Sequence, residues 1–266
     1  MTPLPELMVA PNGATRTKAD HPALPMTIAE IVACAEACAR AGADGIHAHV
    51  RDGEGRHVLD AGLYAELLAE LASRVPQMQV QITTEAAGRY TPSEQRALVE
   101  TLRPASVSVA LREITAEPDM GITRRFFAFC AEAGIAVQHI LYDAGDVARF
   151  GALQAGGVIP EGRQQVLHVL GRYVTGQRAA PEDLATTLAA QAHLPVVPDW
   201  AVCAFGPAES ACLLAARRAG GKVRIGFENN LFRPDGVRAT DNAAQVADFL
   251  QLAALGGTAQ ATDRSA

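Results

Sequence analysis

The 266-residue chain has no apolar run that approaches the roughly 18 residues a bilayer-spanning helix needs. Its first residues also lack the basic-then-apolar pattern of a secretory signal. Membrane is therefore not an expected partner, and the cytoplasm is the expected compartment. Positive charge is in the minority, because 23 Lys and Arg face 29 Asp and Glu, for a net charge of −6. Phosphate backbones require a clustered basic surface, so nucleic acid is not an expected partner either. Cysteine is scarce, and positions 34, 38, 130, 203 and 212 form no even framework. In a reducing compartment these residues read as small buried apolar groups, including Cys34 and Cys38, which lie one helical turn apart. Neither a Gly-x-Gly-x-x-Gly nor a Walker-type phosphate loop follows any apolar run.

Material for a core is plentiful, since 49% of residues are hydrophobic and 20% charged. The length suits one barrel of about 250 residues better than two small domains. Eight short β-branched or apolar runs occur at 7–11, 45–50, 79–84, 106–111, 135–142, 165–170, 196–205 and 222–228. Each precedes an alanine-rich stretch with apolar residues at helical spacing, at 27–41, 60–74, 93–102, 119–133, 144–155, 182–193, 207–219 and 240–254. Helix starts are marked by Thr27 before Glu30, by Thr91-Pro92 running toward Gln95, and by Pro181-Glu182-Asp183. Eight strands alternating with eight helices predict an α/β fold, a (β/α)8 TIM barrel with parallel strands and right-handed crossovers. An open doubly wound sheet is the alternative arrangement of the same elements. Residues 1–255 are expected to form the single barrel, and the small, polar 256–266 a flexible C-terminal tail.

In such a barrel the chemistry sits where each strand gives way to its loop. The second run reads Gly45-Ile46-His47-Ala48-His49-Val50-Arg51-Asp52, and a period of two places His47, His49 and Arg51 on one face. Two imidazoles at i and i+2 can ligate one divalent metal, or they can be a hydrogen-bonded core pair. A zinc site of this kind wants a third ligand, often a carboxylate, and an open position. The last run ends Arg224-Ile225-Gly226-Phe227-Glu228-Asn229-Asn230. A barrel's last strand closes beside its first, so Glu228 can reach the same metal, and a loop-capping acid is the plainer role for it. Other strand ends carry Asn12, Thr83-Thr84-Glu85, Arg112-Glu113 and Asp143. The loop Arg16 to Pro22 is basic and irregular, and suits a carboxylate or phosphate clamp as well as a solvated surface loop.

Taken together, Pro11-Asn12-Gly13, the His47-x-His49-Val50-Arg51-Asp52 run, Val169-Leu170-Gly171, Trp200 and Val223-Arg224-Ile225-Gly226-Phe227-Glu228-Asn229-Asn230 resemble the β-keto acid cleavage enzyme family. The likeness extends from the first strand to the last. It implies a barrel that binds Zn2+ through His47, His49 and Glu228. It also implies a reaction in which a β-keto acid condenses with acetyl-CoA, a coenzyme A thioester co-substrate, to give acetoacetate and a new acyl-CoA. By motif position Arg224 is the catalytic arginine, and Thr83 stands where the family places a serine that contacts substrate. Asn12, Thr15, Arg51, Arg112 and Glu113 are the expected substrate-binding residues. A β-keto acid and acetyl-CoA are the expected partners, together with further copies of the chain in a homo-oligomer.

The departures from the family pattern are specific. The family aspartate that works with the arginine in proton transfer is Asn229 here, which cannot act as a base. Family glutamates on strand five are Gln138 and Ile140, and a Ser-Thr-Gly-Gly segment is Thr83-Thr84-Glu85-Ala86. Thr15 takes the place of a glutamate that recognises a substrate amino group, which points to a neutral or anionic substrate. Glu85, Glu113 and Asp143 are the candidates for a replacement base. A zinc-bearing acyl-CoA or keto-acid binding protein with little turnover is the alternative, and a metal-dependent aldolase or hydrolase is another.

Overall fold

Residues 2–172, 176 and 178–263 are described in the computed structural model of the chain, the last eight of them by backbone alone. Eight parallel strands close a barrel in sequence order: β1 (Leu7–Val9), β2 (Gly45–Ala48), β3 (Gln79–Thr83), β4 (Ser106–Ala110), β5 (Ala136–Leu141), β6 (Gln165–Leu170), β7 (Asp199–Ala204) and β8 (Lys222–Ile225). The helices are α1 (Ile28–Ala41), α2 (Ala61–Arg74), α3 (Pro92–Leu102), α4 (Leu111–Ile114), α5 (Met120–Glu132), α6 (Ala144–Ala155), α7 (Asp183–Gln191), α8 (Glu209–Arg218) and α9 (Asn242–Asp263). The closed ring is the predicted (β/α)8 architecture, and the open doubly wound order is excluded.

Alternation within each strand divides the core into two layers. Outward residues such as Val9, Ile46, Ile82, Val107, Val109, Val166, Val202 and Val223 pack beneath the helices in one continuous cluster. Inward residues Ala110, Ile140, Leu167, Val169, Ala201 and Cys203 fill the barrel itself, joined by Leu4 and Phe205. The N-terminal end of the barrel is sealed by polar pairing. Lys222 Nζ lies 2.9 Å from Asp199 Oδ1, Leu4 N donates to Asp199 Oδ2 at 2.7 Å, and Gln165 Nε2 donates to Thr2 O at 2.7 Å. The pocket therefore opens at the other end, where the strands terminate.

The predicted helix starts are realised by side-chain caps. Thr27 and Thr91 each form a capping box, the latter with Glu94 rather than toward Gln95, while α7 begins without a side-chain cap. Such caps contribute about 1 kcal/mol each. Three runs shorten for identifiable reasons. The run 196–205 begins as strand only at Asp199, because Pro195 and Pro198 flank Val196 and Val197, which are 47% and 58% exposed. The run 106–111 stops at Ala110, where the unanticipated short helix α4 begins. The run 222–228 leaves the sheet at Gly226, whose φ of +144° turns the chain. Residues 256–263, read from sequence as tail, continue the backbone of α9, and 264–266 lie outside the described residues.

Candidate active site

Parallel register places the metal-type ligands around one point. β1 pairs with β2 on one side and with β8 on the other, Met8 facing Gly45 and Arg224. Beyond the last ladder pairs, Ala10 N donates to Ile225 O at 2.8 Å and Glu228 N donates to Ala10 O at 3.1 Å. This second bond draws the β8 end across β1 toward β2. Gly13 makes room for it, since a Cβ there would lie 2.6 Å from Glu228 Cγ.

His47, His49 and Glu228 consequently meet. Their nitrogens His47 Nε2 and His49 Nε2 are 3.1 Å apart, and Glu228 Oε2 lies 3.6 Å and 3.7 Å from them. Tetrahedral zinc with bonds near 2.0–2.1 Å separates its ligand atoms by about 3.4 Å, so the three donors fit one ion. Both imidazoles are buried, and Glu228 Oε2 is a buried oxygen with no hydrogen-bond partner among the described residues. Burial, followed by the Arg224 charge, pushes His47 down to about 4, and burial with His57 and His47 nearby holds His49 well below its ordinary value. Both rings are thus neutral at pH 7, the protonation state a metal requires.

A relay of amides orients the first ligand. His47 Nδ1 donates to Gln81 Oε1 at 2.9 Å, and Gln81 Nε2 donates to Gln138 Oε1 at 3.1 Å. Gln138, seen in the sequence as the loss of a glutamate, thereby fixes the amide that fixes the imidazole, leaving Nε2 turned to the site. Asn12 serves His49 similarly. It is fully buried, accepts from His49 N at 3.2 Å and donates to His49 O at 2.8 Å, so it pins that backbone. His57 packs on the His49 ring at 4.9 Å and holds Glu85 O through Nε2 at 2.9 Å.

The loop that bears Glu228 is held at both shoulders. Glu209, the first residue of α8, accepts from Gly226 N and from Asn230 Nδ2, each at 3.2 Å, and Asn242 Oδ1 accepts from Phe227 N at 2.9 Å. Glu209 is buried, and burial pushes it up to about 8. Replacing it by alanine takes the acceptor from Gly226 N and one of the two acceptors from Asn230 Nδ2, and the expected result is a ten- to a hundredfold weaker metal dissociation constant, as for other residues that orient ligands. Glu209→Gln, which keeps one acceptor, should lose less. A metal titration in which both variants match the parent would show that the loop holds itself.

Above the ligands lies a pocket that opens to solvent. Its wall includes Asn12, Thr15, Arg16, Thr83, Glu85, Tyr142, Arg172, Phe205 and Arg224, together with His47 and Glu228. Arg224 is buried and donates from Nη2 to Glu228 Oε1 at 3.1 Å, while its Nε and Nη1 have no partner among the described residues. Glu228 therefore divides its oxygens, one toward Arg224 and one toward the imidazoles. Thr83 Oγ1 accepts from Glu85 N at 3.0 Å, which leaves its own proton to donate. Burial first and the Glu228 charge second push Glu85 up to about 7, with Arg172 opposing.

Several residues singled out from sequence stand elsewhere. Arg51 donates to Gly13 O, to Ala14 O at 2.9 Å and to Arg16 O and Gly55 O at 3.2 Å, which makes it the clamp of the β1–α1 loop. Arg112 pairs with Asp143 and, at 2.8 Å, with Asp146, beyond the ends of β4 and β5. Glu113 accepts from Ala86 N at 2.9 Å and from Gln95 Nε2 at 2.7 Å, holding the loop after β3. Asp143 caps α6. The Asn229 side chain is fully buried, and neither of its polar atoms has a partner among the described residues. None of these five side chains lines the pocket. Of the three candidate bases, Glu85 alone does.

Comparison with known proteins places this geometry. A profile described as beta-keto acid cleavage enzyme matches residues 7–266. The chain is 28% identical over 250 residues to a 3-keto-5-aminohexanoate cleavage enzyme of Fusobacterium nucleatum, an overlap of 91% of this chain and 88% of that one. It is 27% identical over 262 residues to a 3-oxoadipate:acetyl-CoA acetyltransferase of Cupriavidus necator, covering 94% and 87%. Among solved structures, a binary complex of ObcA with oxaloacetate superposes with a TM-score of 0.71 at 17% identity, and the chain spans 64% of that protein's length. The last likeness is one of fold.

Proposed function

The chain belongs to the beta-keto acid cleavage enzyme family, and from that premise we propose that it is a zinc-dependent enzyme that condenses a neutral or anionic β-keto acid with acetyl-CoA, releasing acetoacetate and a new acyl-CoA. The observation that carries the reading is the convergence of His47, His49 and Glu228 at the floor of a pocket, with Arg224 on the second oxygen of Glu228. The names of the two sequence relatives, a β-keto acid cleavage enzyme and an acetyl-CoA acetyltransferase, support it. Five free cysteines are in keeping with a reducing, cytoplasmic setting.

His47, His49 and Glu228 would hold the zinc, which when bound supplies a Lewis acid for the ketone of the substrate. The remaining steps are assigned to residues of the chain. The unpartnered Nε and Nη1 of Arg224, on a guanidinium that is itself buried, face negative charge that builds on substrate oxygen. Thr83 donates its hydroxyl proton to the bound keto acid and keeps Glu85 in place through the backbone bond. Glu85 removes a proton from the carbon between the two carbonyls, a role for which a carboxyl near neutrality is matched. The carbanion attacks the thioester carbonyl and expels the CoA thiolate. That thiolate then attacks the original ketone, and the C2–C3 bond breaks to give the new thioester, while the departing carbanion takes back the proton from Glu85 to become acetoacetate. Asn229 takes no part in proton transfer.

Incubating metal-loaded protein with a panel of β-keto acids tests the reading. Acetoacetate is expected when a keto acid and acetyl-CoA are both supplied, and not with either alone. Release of product without acetyl-CoA would instead indicate an aldolase or hydrolase. Saturable binding of the keto acids with no product across the panel would indicate a binding protein.

A further inference from the structure

The closed strand order divides the mouth of the pocket into two unlike halves. His47, His49, Arg224 and Glu228 come from β2 and β8 and the residues that follow them, and these strands flank β1 on either side. β5 lies four strands from β1 in both directions, so it stands across the barrel from the ligands. That far side is apolar. Ala110 ends β4, Ile140 pairs with it in register from β5, Val169 follows on β6, and Phe205 lies just past β7. These four pack in one cluster with Tyr142 against it, and all five line the pocket. Ile140 stands where the family carries a glutamate.

The charged groups of the wall are already set against one another or against near neighbours. Arg224 donates to Glu228 at 3.1 Å, Arg172 lies 3.6 Å from Glu85, and Asp20, Glu209 and Glu228 oppose Arg16. Glu85 and Glu228 are in turn engaged by those arginines and by the imidazoles. The free Nε and Nη1 of Arg224 belong to the reacting end of the substrate. A charge carried to the opposite side of the pocket would meet Ala110, Ile140 and Val169, and a buried charge without a partner is costly. On the reading given above, the ketone and carboxylate of the keto acid sit beside the ligands and Arg224, which directs the rest of the molecule across the barrel. We propose that this variable end is an uncharged alkyl chain seated against Ala110, Ile140, Val169 and Phe205, and that Ile140 sets its length and excludes charge. Three of those side chains stand on strands, so the surface is fixed, and each methylene laid on it leaves water.

The test is binding first and turnover second. Titration calorimetry with metal-loaded protein and no acetyl-CoA compares 3-oxopentanoate, 3-oxohexanoate and 3-oxoheptanoate. It also takes two isosteres of 3-oxohexanoate, whose terminal methyl is replaced by an ammonium group or by a carboxylate. Each added methylene is expected to tighten binding about fourfold until the space is filled, and both charged isosteres to bind about tenfold or more weakly than 3-oxohexanoate. Ile140→Ala removes most of the side chain and should move the preference toward longer acids, while Ile140→Glu should turn it toward the ammonium. With acetyl-CoA added, kcat/KM for acetoacetate release should follow the same order, and KM for acetyl-CoA should stay within about twofold of the parent in Ile140→Ala. Circular dichroism and metal analysis validate each variant, and Val169→Ala joins Ile140→Ala as the test if Ile140→Glu does not fold. A parent that binds either charged isostere as well as 3-oxohexanoate overturns the inference. So does an Ile140→Ala that alters KM for acetyl-CoA but not the order of the keto acids, which would give the apolar side to the thioester arm. If the order holds in binding and no acetoacetate forms from any acid, the inference stands and the proposed reaction, on which its orientation rests, falls.

Discussion

His47→Ala is expected to strip the purified protein of its metal, from about one ion per chain to a small fraction of that, and to lower turnover about a thousandfold. The expectation follows from the donor set. Two neutral imidazoles and one carboxylate oxygen are spaced 3.1 Å, 3.6 Å and 3.7 Å apart, and removing one leaves a two-coordinate site on an ion that favours four ligands. A Lewis acid supplies several kcal/mol of transition-state stabilisation, and about 4 kcal/mol corresponds to the thousandfold loss. Glu228→Ala should lose as much metal and more activity, because the same side chain also holds Arg224 through Oε1. Elemental analysis of the parent and both variants measures the first effect, and single-turnover assays the second. Undiminished metal in both variants would remove zinc from the site. Gln81→Ala provides an intermediate case, since it deprives His47 of its Nδ1 acceptor without deleting a ligand.

Glu85→Gln is expected to lower kcat by about 10²- to 10⁴-fold, the usual contribution of a general base, with metal content retained. The isosteric amide keeps the volume and the packing against Arg172, so the variant reports the proton-accepting role. The pH profile carries a sign that can be checked. A base acts when deprotonated, so kcat/KM should be high above the carboxyl's titration and fall as the pH drops through it. Glu85 is pushed up to about 7 by burial and by Glu228, and a cation at the ligands lowers it from there, which sets the acid limb at or below about pH 7. Asn229→Asp forms the contrast. The Asn229 side chain lies outside the pocket wall, and an added carboxylate there is not expected to raise turnover. A parent that is inert with every keto acid but becomes active as Asn229→Asp would transfer the base from Glu85 to that position.

The parts of this site legible in the sequence were those whose geometry follows from periodicity. A strand alternates by necessity, so His47 and His49 share a side, and ring closure brings the end of β8 beside β1. Eight runs in strict alternation with helices likewise imply a barrel before any contact is known. What periodicity does not specify is which backbone groups a loop presents to a polar strand-end residue. Arg51 and Glu113 carry the right chemistry for a substrate, yet the paths of the β1–α1 and β3–α3 loops bring carbonyls and amides that occupy them first. The converse applies to Arg172. It stands one residue beyond Val169-Leu170-Gly171, and its contacts with Glu85 and Phe205 are what bring it to the pocket wall. Glu209 was hidden for another reason, since an acid in the first turn of a helix is ordinarily explained by the helix itself. Gln138 looked like a loss because a lost charge is visible in sequence, whereas a gained amide relay to His47 is not.

The bond from Glu228 N to Ala10 O, with Gly226 pressed so closely that a Cβ would lie 2.4 Å from the same carbonyl, makes the site a seam between the two ends of the polypeptide. During synthesis the two histidines emerge with the second strand, and the carboxylate follows only after all eight strands have been made. No complete ligand set exists until the eighth strand docks on the first. An ion bound there draws its affinity from the finished ring and returns it as a force that keeps the ring shut. Of all the contacts along the barrel, those at the β1–β8 join span the greatest sequence separation and so carry the highest entropic cost of closure. The catalytic ion would then double as the clasp of the fold at the place where the chain is least able to hold itself together.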